Sequence, residues 1–122
     1  LIGVVSAHAT AYRDSFRARR AIESPATTRL ADGMACRTPV PGSLEVILRE
    51  ADDVITVTDD EVAEAMRVLF SDTHNVAEGA GAAALAGALQ QKERWRGQTV
   101  GVALSGGNVD ADMFAGVLGR SA

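Results

Sequence analysis

The apolar run Val100-Gly-Val-Ala-Leu104 breaks into Ser105-Gly106-Gly107-Asn108. A serine hydroxyl gives or takes a hydrogen bond along a defined direction, and glycines let backbone amides approach an anion or a flat ring closely. By itself the motif fits a plain turn as well as a ligand site. Other residues with chemical potential are few. Glu78 stands where a helix of small residues is expected to begin, and the helix dipole favours a carboxylate there whether or not it does chemistry. His74, in Asp72-Thr-His-Asn75 just ahead of that helix, is a further pocket candidate, with a loop histidine bonded to backbone as the plainer reading. His8 is lone, and one histidine does not make a metal site. Cys36 has only Arg37 beside it to activate a thiol.

The elements that must position these residues alternate along the chain. Leu1-Ile-Gly-Val-Val5 reads as a buried strand, and Ala7 to Arg20 as a helix whose last turn is rich in arginine. Thr27 to Gly42 contains Gly33, Pro39 and Pro41 without periodicity, so an irregular connection of about sixteen residues is expected, a length often tied to function or disorder. Ser43 is expected to cap a short helix presenting Leu44, Ile47 and Leu48. Asp53-Val-Ile-Thr-Val-Thr58 reads as a second strand by β-branching. Thr58-Asp-Asp-Glu61 is a capping box opening a helix that ends near Ser71. Val76 to Leu85, nearly all small residues, leads a helix to Gln90 and a charged end at Lys92-Glu-Arg-Trp-Arg96. Thr99 to Leu104 is the expected third strand, and Asp110 to Leu118 the last helix, closed by Gly119. Crossovers of ten or more residues imply an α/β fold: a parallel sheet of about three strands with packed helices, its ligands held at the carboxyl ends of the strands.

At 122 residues there is room for one core. Apolar residues make up 47%, yet the aromatics are only three Phe, one Trp and one Tyr, so alanine and glycine carry much of the packing. A net charge of −4, with no long run of one sign, disfavours nucleic acid. One cysteine excludes an internal disulfide and fits a reducing compartment. No stretch approaches a membrane span of about 20 apolar residues, so a soluble, cytoplasmic protein is expected. Leu1 opens directly on a strand pattern, which suggests a cut chain whose preceding sequence supplies a neighbouring strand. The unpaired sheet and alanine-rich faces lead us to expect a homo-oligomer.

Ala31-Asp-Gly-Met34, Asn75-Val-Ala-Glu-Gly-Ala-Gly-Ala-Ala-Ala84 and Leu104-Ser-Gly-Gly-Asn-Val-Asp110 together resemble, in order and spacing, the carboxyl-terminal part of the serine/threonine dehydratases. These belong to the pyridoxal-phosphate enzymes of fold type II, a group that also contains serine racemase. The resemblance covers essentially the whole chain. It implies a single unit, 1–122, forming the carboxyl-terminal half of the cofactor-binding large domain. It also implies pyridoxal phosphate as cofactor, a small hydroxy amino acid as substrate and ammonia-lyase activity. In such enzymes the serine of this turn meets the pyridine nitrogen, a role that transfers to Ser105, with Gly106 and Gly33 beside the cofactor and Glu78, Asn108 and His74 as pocket candidates. A neutral hydroxyl does not hold a proton on the ring as a carboxylate does, which makes the ring a milder electron sink suited to elimination.

Two departures from the family follow. Its Schiff-base lysine and glycine-rich phosphate loop lie upstream of the region present, and Lys92, the sole lysine, sits among Glu93, Arg94 and Arg96 at a solvated helix end. No catalytic residue is therefore assigned, and the fragment is expected to be inert alone. Several relatives bind a cation through a glutamate after the first strand and an acidic residue shortly beyond. The matching positions here are Val5 and Ala11, with Ala9 between, so that site is expected to be lost and no metal is assigned. Three alternatives stay open: a racemase of the same family, a non-catalytic regulatory or oligomerisation module, and a small anion-binding domain, the last weakened by the lack of a Gly-Lys-Ser/Thr or Gly-x-Gly-x-x-Gly fingerprint.

Overall fold

The computed structural model describes residues 1–119, so the last three positions of the expected 1–122 unit lie outside the described residues. Strand β1 (Ile2–Ser6) pairs in parallel with β2 (Asp53–Val57), Ile2 opposite Asp53 and Ser6 opposite Val57. Between them run α1 (Ala11–Ala18), a short 3-10 turn (Asp32–Met34) and α2 (Pro41–Glu50). After β2 come α3 (Asp59–Thr73), α4 (Gly79–Gln90) and α5 (Ala111–Gly119). A parallel pair needs such a long crossover, because a tight hairpin can only join antiparallel strands.

Helix α3 begins as its sequence dictates. The Glu61 amide donates to Thr58 Oγ1 (3.2 Å), and the Thr58 amide donates to Glu61 Oε2 (2.8 Å). Val62, Ala65 and Met66 then fall on one buried face, spaced three and four apart. The helix runs past the expected stop near Ser71 to Thr73, and His74 ends it in the left-handed conformation at φ 57°. In that conformation the His74 amide donates to the Phe70 carbonyl (3.0 Å) and the Asn75 amide reaches Leu69 (3.4 Å), satisfying groups a helix end otherwise leaves orphaned.

Met66 is the bulkiest fully buried side chain; the core around it consists of Val57, Val62, Val117 and the alanines 65, 77, 82, 83 and 86. With so little bulk between them, α3 and α4 lie close together. A Cβ placed on Gly87 would stand 2.9 Å from Val4 Cγ2 and 3.1 Å from Ile55 Cδ1, which measures how near α4 comes to the sheet. Phe70 of α3 and Phe114 of α5 meet edge to face, centroids 5.5 Å apart, and Arg67 donates to the Val117 carbonyl at 3.0 Å.

Three expectations need correction. The sheet has two strands, not about three: Thr99–Leu104 pairs with no strand among the described residues, and Val100, Val102 and Leu104 are 45%, 43% and 40% exposed. Ladder hydrogen bonds come from a neighbour, and β-type sequence does not make a strand without one. Helix α1 is shorter than Ala7–Arg20 because residues 7–10 turn at the end of β1, where the His8 amide donates to Ser6 Oγ (3.0 Å) and the Ala9 amide to the Ser6 carbonyl (3.0 Å). Helix α2 starts at Pro41 with Val40 as its cap, ahead of Ser43; proline's missing N–H is harmless at the first helical position.

Candidate functional site

The site is assembled around the first turn of α4. Glu78 is the residue before that helix, and its amide donates to the Gly106 carbonyl at 3.1 Å, tying the Ser105–Asn108 turn to the helix start. The approach is close enough that a Cβ on Gly106 would collide with the Glu78 carboxylate, and one on Gly107 would stand 2.6 Å from the Val76 carbonyl oxygen. On another side lies the turn after Ala31. A Cβ on Gly33 would stand 3.0 Å from that of Ala80, and one on Gly79 would collide with the Leu30 carbonyl. The three segments singled out in the sequence thus converge on one helix end.

Asp59, the first residue of α3, holds the segment leading into the Ala31 turn. Thr28 Oγ1 donates to Asp59 Oδ1 (2.7 Å), the Arg29 amide donates to Asp59 Oδ2 (3.0 Å), and the Ala31 amide donates to Thr28 Oγ1 (3.1 Å). Asp59 therefore does more than fill the acidic first turn of α3: it fixes the loop that carries Gly33. Sequence reasoning did not find this, and neither did it find Gly79 and Gly81, because these contacts span 30 or more residues for Asp59 and about 25 to 50 for the glycines. The only available signal was the surplus of acidic residues at Asp59-Asp-Glu61 beyond what a capping box needs.

Ser105 is exposed, and its hydroxyl has no protein hydrogen-bond partner among the described residues. Gly33 and Asn108 are exposed, while Gly106 and Glu78 are half-buried. His74 ends α3, and its Nδ1 lies 3.2 Å from the Phe70 carbonyl of that helix. Cys36 donates its thiol to the Thr38 carbonyl at 3.2 Å. Lys92 is exposed at the turn after α4. Among the described residues no group of three or more His, Cys, Asp or Glu side chains could hold a metal, and no helix is long and apolar enough to cross a membrane.

An exposed hydroxyl on a turn packed against the start of α4 can give or take a hydrogen bond from a polar atom at a ligand's edge. Among known proteins, residues 1–106 match the family described as "Pyridoxal-phosphate dependent enzyme". The chain belongs to this family. It is 36% identical over 121 residues to the L-threonine ammonia-lyase of Geobacter sulfurreducens, a match covering 98% of this chain and 30% of that protein. Among solved structures, the T.th. threonine deaminase superposes with a TM-score of 0.82 at 33% identity, covering 89% of this chain and 40% of that one. Maize serine racemase superposes with a TM-score of 0.83 at 27% identity, covering 94% and 36%. The chain spans about a third of the length of the curated relatives it matches. The family is a pyridoxal-phosphate one, and the α/β arrangement with a small parallel sheet is that of its fold type II members.

Proposed function

We propose that these residues form the carboxyl-terminal half of the cofactor-binding large domain of a pyridoxal-phosphate ammonia-lyase. Its substrate is a small hydroxy amino acid such as threonine or serine, which loses water and then ammonia to leave a 2-oxoacid. The observation that carries this reading is the Ser105 hydroxyl, without a protein partner among the described residues, on a turn that the Asn75–Ala84 segment holds in place. When bound, pyridoxal phosphate supplies the electron withdrawal that acidifies the α C–H of the amino acid. The chain's own contribution is the wall at the ring-nitrogen edge. Ser105 offers a neutral hydrogen bond there, Gly33 and Gly106 lie beside the ring, and Glu78 and Asn108 border the pocket. Lys92 does not serve as the cofactor's anchor, so the anchoring amine and the phosphate cradle come from sequence beyond these residues.

The sheet supports a partial unit too. A cleft of about 630 Å³ lies among Ile2 and Val4 of β1, Ala84 and Ala88 of α4, and the segment 99–103. In this reading a further strand lies in that cleft, between β1 and the segment 99–103, and extends the sheet. In this reading the parent works in the cytoplasm and self-associates. Serine racemase superposes as well as the deaminase, which keeps racemisation as the second reading.

The test uses both the isolated chain and the complete protein. With pyridoxal phosphate and L-threonine or L-serine, the complete protein should release 2-oxoacid and ammonia, and the isolated 122 residues should release none above the free-cofactor background. Appreciable turnover by the isolated chain would contradict the proposal, and D-amino acid from the complete protein in place of 2-oxoacid would select the racemase.

A further inference from the structure

We infer that the first turn of α4 is the spacer that aims Ser105, and that Gly81 is its positioning residue. The inference rests on the reading of Ser105 given above. Gly79 and Gly81 are both buried, and at about 100° per residue they point to nearly opposite sides of the helix. Gly79 faces the backbone of Leu30 and Ala31, ahead of the turn carrying Gly33; Gly81 faces the backbone of Gly106, next to Ser105. A single helical turn is therefore wedged between the two loops, and at Gly79 and Gly81 it meets each of them backbone to backbone.

The nature of the atoms met decides how much each glycine matters. A Cβ on Gly81 would collide with the carbonyl oxygen of Gly106 and stand 3.0 Å from its amide nitrogen. Backbone atoms cannot rotate away as a side chain can, so the Ser105–Gly107 turn would have to retreat by about 1 Å, and a displacement of that size in a positioned group can cost about a hundredfold in rate. The carbonyl that would be pushed is the one accepting the Glu78 amide, so the retreat also strains the bond that fastens the turn. Gly87, buried in the same helix, is the internal contrast: its neighbours are the side-chain methyls of Val4 and Ile55, which can adjust, and it faces the sheet.

The experiment is made in the complete cofactor-loaded protein, comparing Gly81→Ala, Gly87→Ala and Ser105→Ala by the visible absorbance of the bound cofactor, by hydrogen exchange of the Glu78 amide and by kcat/KM. Gly81→Ala should shift the absorbance in the direction of Ser105→Ala, speed exchange at Glu78 and lower kcat/KM about a hundredfold. Gly87→Ala should lower the melting temperature and leave the absorbance unchanged. If Ser105→Ala alters the absorbance and a folded Gly81→Ala does not, the spacer role is wrong while the ring contact stands. If Ser105→Ala itself changes nothing, the ring contact is wrong, and the spacer role falls with it. Should Gly81→Ala not accumulate as folded protein, Gly107→Ala decides in its place, since its Cβ would press on the Val76 carbonyl at 2.6 Å and displace the same turn less. A smaller shift of the same sign supports the spacer, and an unchanged absorbance overturns it.

Discussion

The Ser105 hydroxyl stands on a turn pinned by two of its carbonyls: that of Gly106 accepts from the Glu78 amide (3.1 Å) and that of Gly107 from the Val109 amide (3.0 Å). An exposed hydroxyl on a pinned turn is free to meet a ligand, and it was legible in the sequence because Ser-Gly-Gly after an apolar run is a local pattern. Gly81 was not legible, because what makes it a glycine is a carbonyl 25 positions away. Asp14 shows the same split in a titrating group. The hydrogen bond from Thr10 Oγ1 (2.7 Å) holds its carboxyl below the ordinary 3.8, helped by the bond from Arg13 Nε (2.7 Å) and opposed by partial burial. A depressed carboxyl contributes stability that is complete above the unfolded value and is lost as the pH falls through the folded one. Asp14→Asn should therefore destabilise the protein at neutral pH, and its deficit relative to the wild type should shrink between about pH 5 and pH 3. Urea unfolding across that range checks it, and a constant deficit would count against the Asp14 assignment.

At the scale of elements, the strands β1 and β2 and the capping box of α3 were legible in the sequence, whereas the starts of α1 and α2 and the pairing of Thr99–Leu104 were not. The capping box of α3 is local chemistry, and both of its bonds form where Thr58 and Glu61 place them. Replacing Thr58 by Ala removes the acceptor for the Glu61 amide and should cost about 1 kcal/mol. The measurement is the urea midpoint, which should fall without a change in slope. The start of α2 was misplaced by giving Ser43 a capping role when Pro41, preset to helical φ, already begins the helix. The third strand failed for a deeper reason: Thr99–Leu104 has strand composition, but its hydrogen bonds depend on a chain alongside. A cleft lies between that segment and β1.

For the molecule as a whole, an alanine- and glycine-rich core brings helix ends and turns close enough for backbone to contact backbone, and the site is built from those contacts. The fold class and the converging motifs followed from the order of segments, while the spacing between them depended on three-dimensional packing. The central claim is that this packing aims the Ser105 hydroxyl at the pyridine nitrogen. Its most direct test is the nitrogen-15 resonance of ring-labelled pyridoxal phosphate bound to the complete protein, compared between the wild type and Ser105→Ala. The account predicts a displaced resonance in the variant, with cofactor affinity reduced about tenfold for the loss of one hydrogen bond. An identical resonance and affinity in the two proteins would contradict it.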